Sequence, residues 1–278
     1  MATLTFQWTT QLVSSVMVAL ATRTAALREL FTFHMLLKEQ DSVTVVKTTS
    51  APTMTPVVKG TPLEGNYSNI VFGGVKITPD WGTVKFPVPK DDLANAQAGQ
   101  IEALRDLMVQ AALTRLMDKF ETAVATADVK GSTGAALTAQ MLDDASWDVI
   151  ANKFGTNGVS ALLTVRAFRD LKADIIAGGW EKFGPMVSEV QKGGLGMIRQ
   201  LDQTRITWDQ LLGNDGTDGY NFVGDKKSMR FVVGADVSKN SIVITDHEDA
   251  VHKILALPLL AEVGFPDDRA GFWLKSQA

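Results

Sequence analysis

The 278-residue chain has no cysteine. Disulfide scaffolds, thiolate metal sites and cysteine nucleophiles are therefore excluded. Histidine is almost as scarce, with His34, His247 and His252 the three in the chain. No apolar run reaches the roughly 18 to 20 residues that a membrane-spanning helix needs. The richest stretch, residues 13–21, is broken by Ser14 and Ser15, and no lysine or arginine precedes it. A secretory signal is not expected, and the expectation is a soluble protein made and kept in a cytoplasm. Asn66-Tyr67-Ser68 matches a glycosylation sequon, which means nothing without a secretory route. Positive charge is not in excess either: 27 Lys and Arg face 31 Asp and Glu, for a net charge of -4. A generally basic nucleic-acid binder is excluded, a local patch aside.

What is present is ordinary globular composition, 45% hydrophobic and 21% charged, which excludes a disordered or collagen-like chain. At about 150 residues per domain, the length predicts one large or two small domains with a real core. Residues 9–37 place Leu12, Val16 and Ala19, then Leu27, Leu30 and Phe31, at helical spacing, with a break at residues 22–24. Val43, Val45 and Val46 are β-branched and predict a strand. Residues 48–62 are too rich in threonine and proline for a long helix. Residues 70–78 read as a strand, with Gly73-Gly74 as a bulge or close approach. Pro79-Asp80-Trp81-Gly82 has turn chemistry, and residues 83–88 alternate as the return strand of a hairpin. Such a ribbon is marginal alone in water and must lie on something.

Asp91 and Asp92 open a helix over residues 93–127 that contains no proline. Ile101, Leu104, Met108, Ala112 and Leu116 make its stripe, with Leu107, Ala111 and Met117 beside it. Glycines in 128–134 end it. The second half mixes helices (143–153 and 167–177, ending at Gly178-Gly179) with strands (160–165, 197–206, 229–234 and 241–245, the last two around the turn 238–240). Asp246 is placed to cap a helix over 250–257 that Pro258 disturbs. No internal repeat is present.

Motifs that carry chemistry are missing. His247 and His252 are five apart, about 140° around a helix, whereas a zinc site of this type needs a spacing of four. Gly193-Gly194-Leu195-Gly196 lacks the spacing of a phosphate-binding loop and reads as a sharp connection. Asn214-Asp215-Gly216-Thr217-Asp218-Gly219 offers oxygen ligands but no closing glutamate, and reads as a surface loop. Lys226, Lys227 and Arg230 make a small basic cluster that reads as a solvated edge. Of the six tryptophans, Trp81 at a turn and Trp180 beside glycines suit core or subunit contacts better than base stacking. No catalytic, cofactor-binding or metal-binding residue is assigned, no cofactor is expected, and the chain is expected not to be an enzyme.

The order of segments resembles the major capsid (coat) protein family of tailed bacteriophages, whose fold is shared with encapsulins. DSVTVVKTT (41–49) is similar to the first strand after that family's N-terminal region. VFGGVKITPDWGTVKFPVPKDDL (71–93) is similar to the strands that lead into its long helix. ALTRLMDKFETAVATAD (112–128) resembles the end of that helix, and GGLGMIRQLDQTRIT (193–207) the glycine turn and strand of the later domain. No single motif is diagnostic, because shells are selected for shape.

The resemblance implies an α+β capsid fold. Residues 1–41 would be the N-terminal arm, 42–90 the extended β-hairpin loop and 91–130 the spine helix of the peripheral domain. Residues 131–225 would be mainly the axial domain, and 226–278 the return strands and C-terminal part of the peripheral domain. It implies a self-assembling icosahedral shell of hexamers and pentamers around double-stranded phage DNA, contacted without sequence specificity and with no membrane. Scaffolding, portal and cement proteins are the implied partners, a separate scaffolding protein among them because no long charged N-terminal coil is seen. The virion is the implied location, assembled in a host cytoplasm. An encapsulin-type compartment is the alternative, followed by a soluble α/β enzyme or ligand-binding protein with a site near 193–196 or 213–219.

Overall fold

The computed structural model describes residues 12, 15–16, 18–36, 40–48, 72–90, 98–152, 154, 158–178, 187–188, 199–201, 204–234, 243–246, 248 and 251–278. Four helices are named α1 (Ala25–Leu30), α2 (Ala98–Val124), α3 (Ala139–Ala151) and α4 (Val165–Gly178). The strands are β1 (Thr32–Leu36), β2 (Val43–Thr48), β3 (Phe72–Ile77), β4 (Asp80–Pro89), β5 (Asp128–Gly131), β6 (Val159–Thr164), β7 (Val187–Ser188), β8 (Arg199–Leu201), β9 (Thr204–Asp209), β10 (Asn221–Asp225), β11 (Arg230–Gly234), β12 (Val243–Asp246), β13 (His252–Gly264) and β14 (Gly271–Lys275).

Helix α2 is the longest element, with 27 residues, or about 40 Å at 1.5 Å per residue. Met108, Ala112, Leu116, Phe120 and Val124 recur every fourth residue and are buried. Leu107, expected beside this stripe, points to solvent at 48% exposure. Residues 91–97, where the acidic helix start was expected, lie outside the described residues. The helix ends at Val124, ahead of the expected glycines. Gly131 and Gly134, at φ 93° and 70°, instead shape the turns after β5.

The α2 stripe covers a core that also takes residues from the N-terminal segment and from both sheets. Leu12, Val16, Leu20, Leu27, Leu30 and Phe31 come from the N-terminal segment. Phe31 sits at ring-centroid distances of 5.7, 6.0 and 5.9 Å from Phe120, Phe222 and Phe231. A turn at Thr24 breaks the helical run where expected, and the Thr24 hydroxyl donates back to the Leu20 carbonyl at 2.8 Å. Residues 32–36, read as helix, form β1 instead, parallel to β11 from Thr32↔Arg230 to Leu36↔Gly234.

The five-stranded sheet is organised by β13. Along one edge it pairs with β4, from His252↔Pro89 to Ala261↔Asp80. Its other edge pairs first with β12 and then with β11. The helix expected over 250–257 is therefore a strand. Its near-continuous apolar residues fit a strand flanked on both edges better than a helix with one polar face. Pro258 falls in the interval between the β12 and β11 pairings, where a missing N–H breaks no ladder bond on that edge.

The expected hairpin of 70–78 with 83–88 is also absent. β3 pairs with β2, and β4 begins at Asp80 and pairs with β13. Gly73 and Gly74 keep regular register with Lys47 and Val46, so there is no bulge; a Cβ on Gly74 would stand 3.1 Å from Thr44 Cγ2.

The seven-stranded sheet runs β5-β14-β10-β6-β9-β8-β7. Helices α3 and α4 pack on it through Leu142, Val149, Leu171 and Ile175. The strand expected over 197–206 is two strands, β8 and β9, paired antiparallel with Leu201 opposite Thr204. Residues 226–278, expected as one returning block, divide between the sheets. β11, β12 and β13 join the sheet under α2, while β14 lies between β5 and β10.

Candidate assembly surface

The β2–β3 ribbon runs in antiparallel register from Val43↔Ile77 to Thr48↔Phe72. Its root is buried. Ile77 joins Leu36 and Val232 in a small cluster, with Val43, Val45 and Leu260 packed against it. Gly264 lets Ile77 seat closely, since a Cβ there would overlap the Ile77 side chain. Further out, Val46 is 64% exposed. Residues 49–71, a little under half of the expected extended loop, lie outside the described residues.

A charge network locks α2 onto the sheet. Arg115 Nη2 donates to Asp80 Oδ1 at 2.7 Å, and Lys119 Nζ lies 3.0 Å from Asp80 Oδ1 and 2.9 Å from Glu262 Oε2. The hydrogen bond from Lys119 holds the Asp80 carboxyl below its ordinary range, aided by both cations. Burial works against the Lys119 charge, but the bonds to Glu262 and Asp80 carry its pKa above the usual value. Gly82 leaves room for the Arg115 guanidinium, which a Cβ there would push aside.

Large apolar side chains also face solvent. They include Trp81 on β4 (57% exposed), Val129 on β5, and Trp147 on α3 (52% exposed), with Ile176 on α4. Single exposed aliphatics are ordinary, but an exposed tryptophan on a regular element is a contact candidate. Beside α4, a cavity of about 380 Å³ is lined by Arg166, Arg169, Asp170 and Ala173.

The residues singled out in the sequence do not converge. His247, Gly193-Gly196 and Trp180 lie outside the described residues, and His252 starts β13 opposite Pro89. Among the described residues no group of three His, Asp or Glu is placed to hold a metal. The 214–219 loop spends its oxygens on its own backbone. Asp215 Oδ1 accepts the N–H groups of Thr217 and Asp218, at 3.0 and 2.7 Å. Asp218 is buried, accepts the Gly134 N–H at 2.7 Å and lies 3.6 Å from Lys275 Nζ. Lys227 is exposed, but Arg230 turns inward, with Nη1 3.4 Å from His34 Nε2, so the three do not form one basic face. Sequence inspection misses Asn221. Its amide donates to Gly219 O, Leu274 O and Ser276 Oγ, and its Oδ1 accepts the Thr164 N–H. It also misses Asp209 and Glu121, whose carboxyls burial pushes up in pKa. The buried carboxylates do structural work in separate places, and no catalytic constellation is assembled among the described residues.

No family model matches the chain and no curated protein matches its sequence. Solved structures do. The fold is similar to that of an encapsulin from Synechococcus elongatus, with a TM-score of 0.63 at 8% identity over 92% of this chain and 89% of that one. It is similar to the head of Helicobacter pylori bacteriophage KHP40, with a TM-score of 0.63 at 15% identity over 88% of this chain and 86% of that one. The capsid of Ralstonia phage GP4 gives a TM-score of 0.59 at 11% identity, over 90% of this chain and 87% of that one. The chain has the α+β capsid fold common to phage heads and encapsulins. Among the described residues no helix is long and apolar enough to cross a membrane.

Proposed function

We propose that the chain is a shell subunit, the major capsid protein of a tailed bacteriophage that encloses double-stranded DNA. The observation that carries the proposal is the capsid fold over about nine-tenths of the chain, joined to a ribbon that is buried at its root and exposes Val46. A ribbon that presents Val46 to solvent makes sense if another copy covers it. In this reading residues 1–41 form the arm, 42–90 the loop that reaches a neighbour, and 91–130 the spine. Residues 131–225 and the inserted strand β14 surround the capsomer centre, and 226–264 return beneath the spine.

Hexamers and pentamers of the chain tile the shell through heterologous contacts, which close into rings. Scaffolding, portal and cement proteins complete the particle. The slight acidity suits a container whose DNA is packed and released without sequence-specific contact. The particle is the virion, assembled in the host cytoplasm, and the subunit is not an enzyme. The encapsulin among the similar structures supports a second reading, a protein compartment with enzyme cargo.

Light scattering on the size-exclusion peak of the full chain, with negative-stain images, tests the proposal. Closed particles of megadalton mass are expected, and nuclease-protected DNA inside particles from the native source distinguishes virus from compartment. A monomer or dimer that persists at high concentration and with candidate scaffolding partners overturns the shell.

A further inference from the structure

The outer faces of α3 and α4 differ in chemistry. Helix α3 carries Asp143, Asp144 and Asp148 and no lysine or arginine. Its exposed stripe, Gln140, Asp144, Trp147 and Ala151, sets an indole that is 52% exposed beside Asp144, while Asp148 is paired with Lys130 Nζ at 2.6 Å. Helix α4 carries Arg166, Arg169 and Lys172 on its exposed face. Asp174 Oδ2 accepts the Ala139 N–H at 2.8 Å, and Asp170, which also lines the cavity, accepts from Gln277 Nε2 at 3.2 Å and lies 3.6 Å from Arg166 Nε, so Arg169 and Lys172 carry the excess positive charge of this face. The cavity of about 380 Å³ opens beside Arg166 and Arg169, with Ala173 leaving the room. That volume lies in the roughly 300–1,000 Å³ range of small-molecule pockets.

From this pairing, and resting on the shell reading above, we infer that neighbouring copies lock together by inserting Trp147 of one subunit into the Arg166/Arg169 cavity of the next. The occupant is a second copy of this chain because the surface supplies both halves. Asp144 at the knob and Arg169 and Lys172 at the hole are complementary in charge and sit on different helices of one subunit. Guanidinium groups stack on indole faces, and tryptophan and arginine are enriched where interfaces carry their binding energy. Asp144 beside the knob meets Arg169 or Lys172 at the rim. Val165 and Ile176 are also exposed on α4. A knob and a hole at different places make a heterologous contact, which a rotation closes into a ring.

The full-length chain tests this with Trp147→Ala, Arg166→Glu/Arg169→Glu, Asp144→Arg, and Asp144→Arg/Arg169→Asp. All these residues are exposed or at the cavity rim, so the variants are expected to melt near the wild-type temperature, the double glutamate variant slightly lower because it loses the Arg166–Asp170 pair. Trp147→Ala is expected to weaken subunit association by at least roughly tenfold, the scale of a lost tryptophan anchor, and to leave unassembled subunits. Asp144→Arg is expected to reduce particle yield, and Arg169→Asp in the same chain to restore part of it. Mixing the Trp147→Ala chain with the Arg166→Glu/Arg169→Glu chain is expected to give one-to-one dimers, since each partner then offers a single working half.

Normal shells from both Trp147→Ala and the double glutamate variant overturn the inference and assign these features to some other occupant. Absence of rescue together with absence of mixed dimers overturns it as well. Wild-type chain that never assembles, with or without partner proteins, fails the shell reading itself.

Discussion

Asp80 Oδ1 accepts a hydrogen bond of 2.7 Å from Arg115 Nη2, so the first residue of β4 is tied to the middle of the long helix. Lys119 joins the same oxygen and reaches on to Glu262 of β13. Three elements far apart in sequence are thereby held in one register. The Asp80 side chain is 58% exposed, so the network places the helix more than it stabilises it.

Asp80→Asn should cost less than about 1 kcal/mol at neutral pH, because screened pairs contribute little. The pH dependence has a definite sign. The folded-state pKa of Asp80 is depressed, chiefly by the Lys119 hydrogen bond. Its contribution is present above the ordinary aspartate range and lost as pH falls through the lower folded value. Urea unfolding of both proteins from pH 7 to pH 3 should show their difference shrink on acidification; a constant difference would detach Asp80 from the network.

Glu121 has the opposite sign. Burial raises its carboxyl pKa, although the Gly213 N–H donates to it. Its contribution is fully present below the ordinary glutamate range and lost as pH rises through the folded value. Glu121→Gln keeps an acceptor for Gly213 and has no charge to bury. The variant should match wild type near pH 4 and melt higher than wild type near pH 7. Equal melting temperatures at both values would show that burial does not govern this group.

Adjacent residues on α2 should respond very differently to alanine. Met108 is fully buried and Leu107 is 48% exposed. Met108→Ala should cost about 2–5 kcal/mol, while Leu107→Ala should stay within about 0.5 kcal/mol. Denaturant midpoints decide it, and comparable losses would mean that the helix is rotated from the face described above.

Val46→Asp addresses the ribbon. The residue is 64% exposed, so the subunit should fold with an unchanged melting temperature. If another copy covers the ribbon, the buried charge should suppress shell formation in sedimentation assays. Wild-type particle yield would show that this part of the ribbon faces solvent in the shell.

Sequence inspection succeeds where a local period carries the signal. The α2 stripe from Met108 to Leu116 is legible because one buried face forces a helical repeat. Residues 159–164 are legible as a strand for a related reason, since they are buried on both faces. It fails at 252–264, where Asp246 and the apolar run mimic a capped helix. The strand forms there because β4 and β12 offer edges on both sides. The 79–82 turn signal is misleading in the same way, since β4 pairs with β13 and not with β3. Of the proposed contact surface, the acidic character of α3 and the basic character of α4 are visible as composition. The cavity beside Arg169 is not, because a hollow is defined by what surrounds it.

From the sequence alone came the absence of thiol chemistry, the long helix, the β-rich segments flanking it and the order of elements that resembles a capsid. Each rests on residue type or on a repeat shorter than one helical turn or strand pair. Only the tertiary structure decided that β13 unites β4, β11 and β12, that β14 enters the other sheet, and that Leu107 faces out while Phe120 faces in. A backbone ladder can be satisfied by any edge, so the choice of edge belongs to burial across the whole chain. The same holds for the surface. Trp147 is exposed because α3 turns its other face, with Leu142 and Val149, into the second core.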